Sequence, residues 1–325
     1  MRGSVEVGSV LMVPFARRKI LGVVTAMANE SDVPPEKLAE PIKALGAGVP
    51  APLVGLGLWV ADEYCSTPAR GLALVTPPGT GTGQASKAMK AKTILVARIT
   101  DDGEAALTDE KTRLNDAQRN ALTLLAAELN GVPTAEAKDQ IGITTQSLRA
   151  LEKRGLVAIS EDEQRRAPVH MRVGALNERP PLTSDQTAAL GEIVKSIDTG
   201  FADLLLHGVT GSGKTEVYLG AAEATVAKGQ SVIVMVPEIA LTPQVVTRFA
   251  ARFDDRVAVM HSQLTPGQRH DEWLRIRRGE ADIVVGPRSA VFAPVKNLGL
   301  LIVDEEHDSS YKQDGDPRYD ARDVA

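Results

Sequence analysis

The stretch Gly208-Val-Thr-Gly-Ser-Gly-Lys-Thr215 constrains this chain more than any other. Gly208 and Gly213 flank Val209, Thr210, Gly211 and Ser212, and Lys214-Thr215 follows at once. Leu204-Leu-Leu-His207 in front reads as a buried strand, and Glu216 to Lys228 behind it reads as a helix. A strand that turns through glycines into a helix offers unpaired helix-start amides to a phosphate, with no side chain in the way. In this pattern Lys214 reaches the β- and γ-phosphates, and the Thr215 hydroxyl holds Mg²⁺. The expected cofactors are therefore ATP and Mg²⁺.

The residues around this loop predict an α/β lobe. Apolar runs at Asp203–His207, Ser231–Val236, Val257–His261, Asp282–Gly286 and Leu298–Val303 alternate with helical stretches, which implies a parallel sheet covered on both faces. Ligands of such sheets bind at the carboxyl ends of the strands. Asp304-Glu-Glu-His307 follows the last run directly, so its acids are expected beside the glycine loop. Asp304 suits Mg²⁺ held through water, and Glu305 suits the orientation or deprotonation of an attacking water. Gln186, in Leu182-Thr-Ser-Asp-Gln186, carries an amide that matches the donor and acceptor of the adenine edge.

The 325 residues are enough for two domains or three small ones. A net charge of −5 means that any nucleic-acid contact comes from local patches rather than an overall field. No apolar run approaches the roughly 18 residues of a membrane span. The single cysteine, Cys65, excludes a disulfide framework and a cysteine-built zinc site within these residues, and is expected to be a buried apolar residue. Met1 to Ser9 is polar and glycine-rich, so no signal peptide is expected and the cytoplasm is the expected compartment.

Upstream of the lobe the rhythm changes twice. Ser9–Phe15, a basic turn at Arg17-Arg18-Lys19, and Ile20–Thr25 predict a β-hairpin, followed by a loop with Pro34 and Pro35 and a helix over Pro52–Tyr64. This β-rich module, residues 1–80, closes near Thr76-Pro77-Pro78, and a glycine-rich linker occupies 81–92. Residues 93–170 predict helices over Asn115–Leu129, Thr134–Ile141 and Thr144–Arg154, the last two opened by threonine caps, then a strand over Gly155–Ser160. That outline fits a winged helix, and it fits an interdomain spacer equally well. Residues 176–325 form the α/β lobe. Near its end, Tyr311 and Tyr319 fall among Lys312, Arg318 and Arg322, although the chain has only four tyrosines. Rings for bases and cations for phosphates suit single-stranded DNA; a packed tyrosine pair with solvated charges is the alternative.

Several further strings carry a resemblance. Pro237-Glu-Ile-Ala-Leu-Thr-Pro-Gln244, His261-Ser262, Arg288-Ser-Ala290 with Phe292, the DEEH run into Ser309-Ser-Tyr-Lys-Gln313, and Tyr319-Asp-Ala-Arg322-Asp323 closely resemble the PriA family of replication-restart helicases. Val13-Pro-Phe15, Gly22-Val-Val24 and Trp59-Val-Ala-Asp-Glu-Tyr64 resemble that family's opening module. The resemblance implies an ATP-dependent 3′→5′ helicase that recognises stalled or branched forks and restarts replication by primosome assembly. By it, 1–80 binds a DNA 3′ end with its first strand missing before Val7, 93–170 is the winged helix, and 176–325 is helicase lobe 1.

It further implies DNA contacts from Arg288, Ser289, Tyr311, Lys312, Arg318, Tyr319 and Arg322, and a coupling role for His307. Forked and single-stranded DNA, primosome proteins and single-strand-binding protein are the implied partners. Zinc is expected in the full-length family, but its cysteine ligands are not among these residues. Two positions depart from the family pattern: Ala39-Glu40 stands where a basic residue is expected, and Pro287 stands where threonine is usual. The chain thus reads as an N-terminal fragment ending within or just after lobe 1, expected to bind Mg-ATP without unwinding DNA. A non-catalytic ATP- and fork-binding module and another superfamily 2 translocase are the alternatives.

Overall fold

The computed structural model describes residues 5–15, 18–34, 37–46, 48–79, 92–109, 112–128, 130–163, 180–209, 211–238, 240–241 and 243–325. Arg17, Pro35, Leu129, Thr210, Ile239, Thr242 and the body of the 81–92 linker lie outside them. The chain divides into two units, one of residues 1–89 with 167–325 and one of residues 90–166.

The first unit opens on the expected hairpin. β1 (Val10–Phe15) pairs antiparallel with β2 (Arg18–Val23), Val13 facing Ile20. A third strand, β3 (Lys43–Leu45), pairs with the other side of β1 and had no sequence signal at three residues. Helix α1 (Ala51–Glu63) starts at a proline, which lacks the amide that a first turn leaves unpaired. α2 (Pro68–Val75) starts the same way and packs back on α1. Their crossing depends on Gly57 and Gly71: a Cβ on Gly71 would stand 2.0 Å from the Gly57 carbonyl oxygen. Cys65, between the helices, is exposed and in the left-handed region at φ 50°, which corrects the expectation of burial. The residue just past a helix end takes that conformation to turn the chain.

In the second unit β4 (Thr93–Ile99) is followed by α3 (Asp101–Thr108) and α4 (Asp116–Ala127), the latter capped reciprocally by Asn115 and Gln118. β5 (Val132–Pro133), α5 (Ala137–Ile141), α6 (Thr145–Lys153) and β6 (Val157–Glu163) complete it, with strand order β5-β4-β6. Thr144 caps α6 as its sequence predicts. Thr134 does not open a helix; its amide donates to the Leu95 carbonyl at 2.8 Å, extending the sheet instead. Leu122, Leu125, Leu148 and Leu151 fill the core between helices and sheet.

The remaining elements belong to the first unit. α7 (Ser184–Thr199) and α8 (Lys214–Ala227) pack together. They precede β7 (Ser231–Met235), α9 (Pro243–Phe253), β8 (Val257–Val259), α10 (Pro266–Arg278), β9 (Ile283–Gly286), β10 (Leu298–Val303) and the short α11 (Ala321–Val324). The sheet is parallel, in the order β10-β7-β9-β8. Alternation along β7 separates two cores. Val232 and Val234 pack with Phe249 and Phe253 of α9 on one face, while Ile233 and Met235 pack with Ile276, Phe292 and Tyr311 on the other.

One expected strand is absent. Residues 201–209 have no sheet partner among the described residues, and Leu205 is 79% exposed. An apolar run predicts burial, but a strand also needs a hydrogen-bonded neighbour, which periodicity cannot supply.

Candidate nucleotide site

Glycine makes the loop ahead of α8 possible. Gly211 and Gly213 both lie at φ 82°, the left-handed region, and Gly213 forms the N-cap of α8. Lys214 and Thr215 are the first two residues of that helix, so their amides have no partner one turn back. Lys214 Nζ folds over the loop and donates to the Gly208 carbonyl at 2.8 Å. Thr210 lies outside the described residues.

Gln186 braces this loop. Its Nε2 donates to the Ser212 carbonyl at 2.9 Å, while its Oε1 accepts from the Thr183 amide and closes the capping box of α7. A Cβ on Gly213 would come within 2.4 Å of that Nε2. One amide proton and one lone pair of Gln186 stay available for a further partner.

The acidic cluster arrives from the other side. The Asp304 amide donates to the Met235 carbonyl at 2.9 Å, so the turn after β10 is held against the end of β7. Asp304 Oδ1 accepts from the Tyr218 hydroxyl at 3.1 Å. Burial pushes the Asp304 carboxyl above its usual range and the Glu305 charge adds to this, while the Tyr218 hydroxyl and the Lys214 ammonium oppose it. Burial also raises the Tyr218 phenol, reinforced by the Asp304 charge, so that group donates rather than ionises.

Glu305 occupies the left-handed region at φ 46°, a costly conformation for a residue with a Cβ. It stands 3.7 Å from Lys214 Nζ through Oε1 and 3.9 Å from His307 Nδ1 through Oε2. The donor set that Thr215 and Asp304 offer, a hydroxyl and a carboxylate, is the oxygen chemistry Mg²⁺ takes. A cradle in which Gly211 and Gly213 both take the left-handed region, and in which a Cβ on Gly213 would strike Gln186, suits a phosphate chain. No group of three or more His, Cys, Asp or Glu that could hold a metal occurs among the described residues.

The residues expected to touch DNA divide into three sets. Ser289, Lys312 and Arg318 are exposed. Arg288 and Arg322 are committed to the protein: Arg288 donates to the Ser310 carbonyl at 2.8 Å, and Arg322 binds Asp320 through two nitrogens and the Glu306 carbonyl at 2.8 Å. Tyr311 and Tyr319 are 0% and 2% exposed. The Tyr311 hydroxyl bonds to the Met235 and Asp304 carbonyls, and Tyr319 packs edge-on against Phe292 at 5.1 Å. Neither ring offers a face to a base, which corrects the stacking expectation and favours the packing alternative. Tyrosine among basic residues looks the same in sequence whether its ring faces solvent or core.

Tyr218 had no place among the expected site residues. Its signal was present: on a helix it lies one turn beyond Lys214, hence on the same face. Glu238 and Ser262, from two separate strings of the sequence, meet after β7 and β8, the Ser262 hydroxyl donating to Glu238 Oε1 at 2.5 Å.

Two family models match the chain: the DEAD/DEAH box helicases over residues 183–321 and a 3′ DNA-binding domain over residues 1–77. The replication restart protein PriA of Bacillus subtilis is 35% identical over the whole of this chain and 48% of its own length. That of Haemophilus influenzae is 36% identical over 99% of this chain and 44% of its own. PriA of Treponema pallidum is 55% identical over 44% of this chain and 22% of its own. The chain spans about half the length of the first two relatives.

Proposed function

This chain belongs to the PriA family of replication restart proteins, and from that premise we propose that its residues form the nucleotide- and DNA-binding machinery of an ATP-dependent 3′→5′ helicase. Its substrate is a stalled or branched replication fork, and its outcome is primosome assembly in the cytoplasm, with primosome proteins and single-strand-binding protein as partners. Residues 1–80 bind the DNA 3′ end, 93–170 act as a winged helix, and 176–325 are helicase lobe 1.

One observation carries the nucleotide part: Lys214 at the start of α8 and Glu305 after β10, distant in sequence, face each other at 3.7 Å. Bound Mg-ATP supplies the scissile phosphoanhydride and the charge of the metal. Lys214 leaves the Gly208 carbonyl for the β- and γ-phosphates, while the amides of the loop and of the start of α8 hold the phosphate oxygens. Thr215 and Asp304 hold the metal, and the Tyr218 hydroxyl orients the Asp304 carboxylate. Glu305 takes the proton of the attacking water. His307, the neighbour of Glu305, links that step to DNA bound at Ser289, Lys312 and Arg318. Gln186 spends its remaining amide capacity on the adenine edge.

Calorimetric titration with Mg-ATP tests this reading. We expect binding by the wild-type chain and at least a tenfold loss for Lys214→Ala, about the size of a charge-assisted phosphate contact. Equal affinities overturn the assignment.

A further inference from the structure

Tyr218 stands between the two groups offered to a metal. It lies on α8 three residues after Thr215, on the same face of the helix, and its hydroxyl donates to Asp304 Oδ1 at 3.1 Å. Its ring packs against the core that α8, β7 and α9 share, so the hydroxyl is carried on a side chain with little freedom. The carboxylate it meets is anchored as firmly. The Asp304 amide donates to the Met235 carbonyl at 2.9 Å, and the Tyr311 hydroxyl donates to the Asp304 carbonyl at 2.5 Å.

A carboxylate can hold a cation through one oxygen or through both. With a hydroxyl fixed on Oδ1, Oδ2 is the oxygen that keeps its full donor strength, and a bite through both oxygens has to compete with the Tyr218 bond. The two common hard divalent ions answer differently to that constraint. Mg²⁺ keeps several waters and needs few carboxylate oxygens beside phosphate, whereas Ca²⁺ gathers roughly six to eight oxygens and gains from bidentate carboxylates. Neighbouring acids do not make up the difference. Glu305 is paired with Lys214 at 3.7 Å, Glu306 is exposed, and no group of three or more His, Cys, Asp or Glu that could hold a metal occurs among the described residues.

We propose that Tyr218 makes this site selective for Mg²⁺ over Ca²⁺, its hydroxyl holding Asp304 to a single metal-facing oxygen. This deepens the nucleotide-binding reading above and rests on it. Tyr218 acts through Asp304 rather than on the reacting atoms, which makes it a positioning residue.

The test compares metals within each variant. Affinity for a fluorescent ATP analogue is measured with saturating Mg²⁺, with saturating Ca²⁺ and with EDTA, for the wild-type chain, Tyr218→Phe and Tyr218→Leu. Phenylalanine keeps the packed ring and removes the hydroxyl. Leucine, a good helix former, also lacks the hydroxyl and carries the test if the first variant fails to fold. In the wild type the analogue is expected to bind about tenfold more tightly with Mg²⁺ than with Ca²⁺, the scale of one hydrogen bond to a charged group. In both variants that ratio falls to about two or less, while affinity in EDTA is preserved. A Tyr218 that only fills the core would lower all three affinities or the melting temperature together and leave the ratio at its wild-type value, which overturns the proposal. So does a wild-type ratio near one when binding depends on metal. Failure of the wild type to bind the analogue, or equal affinity with EDTA and with Mg²⁺, overturns the underlying Mg-ATP reading, and this inference falls with it.

Discussion

Lys214 and Glu305 share one ion pair, yet on the proposed reading they answer differently to substitution, the lysine binding phosphates and the glutamate handling a water. Glu305→Gln keeps the shape and the left-handed backbone while removing the charge. It is expected to retain Mg-ATP affinity within a few-fold in the titration that exposes Lys214→Ala; a loss as large as that of the lysine variant would make Glu305 structural. Tyr319 offers a test of packing. Burial pushes its phenol up to about 12, against an ordinary value of 10.0, with Arg288 opposing the shift. The folded state therefore keeps the proton longer than the unfolded one. Its stability contribution is intact below pH 10 and is lost as the pH rises towards 12, by at most about 1.4 kcal/mol per pH unit. Urea midpoints measured between pH 9 and 11.5 should fall less steeply for Tyr319→Phe than for the wild type. Identical slopes would mean that the ring is solvated.

The α1–α2 pair shows opposite outcomes at two glycines, one on each helix. Gly55 lies on the exposed side of α1 with nothing within 4 Å of a Cβ built there, whereas a Cβ on Gly71 collides with the Gly57 carbonyl and with Ala61. Gly55→Ala removes backbone entropy from the unfolded chain and should stabilise by about 0.5–1 kcal/mol. Gly71→Ala forces the helices apart and should cost about 1–3 kcal/mol. Thermal melting of the two variants separates them by sign, and equal shifts would deny the close crossing. Both helices start at prolines visible in the sequence, yet only α1 was expected. The eight residues of α2 are too few to display a period. The same brevity hid β3, and Thr134 resembled a helix cap because sheet continuation and capping use the same residue types.

For the whole molecule, net charge and DNA binding pull in opposite directions. At −5 the chain has no overall attraction for a polyanion, so the proposed binding of forked DNA rests on a small number of local cations. Gel-shift affinity is therefore expected to fall with salt along a shallow log–log slope of a few units, each phosphate contact contributing about 0.9. A slope near zero would remove phosphate contacts from the account.

The phosphate loop, the acids at the end of an apolar run, the parallel sheet of the lobe and the opening hairpin follow from residue order alone. Each is a local pattern: glycines where a backbone must turn left-handed, apolar periods where a face must be buried, acids where a strand ends. The placement of Tyr311 and Tyr319 inside the core, the commitment of Arg288 and Arg322 to carbonyls, the unpaired run before the loop, and the contact of Tyr64 with Asp320 and Asp323 came only from tertiary packing. A side chain's type says what it can bond to. Which partner it meets depends on packing, which joins segments from 22 residues apart, as for Arg288 and Ser310, to 259 apart, as for Tyr64 and Asp323, and no local period records that distance.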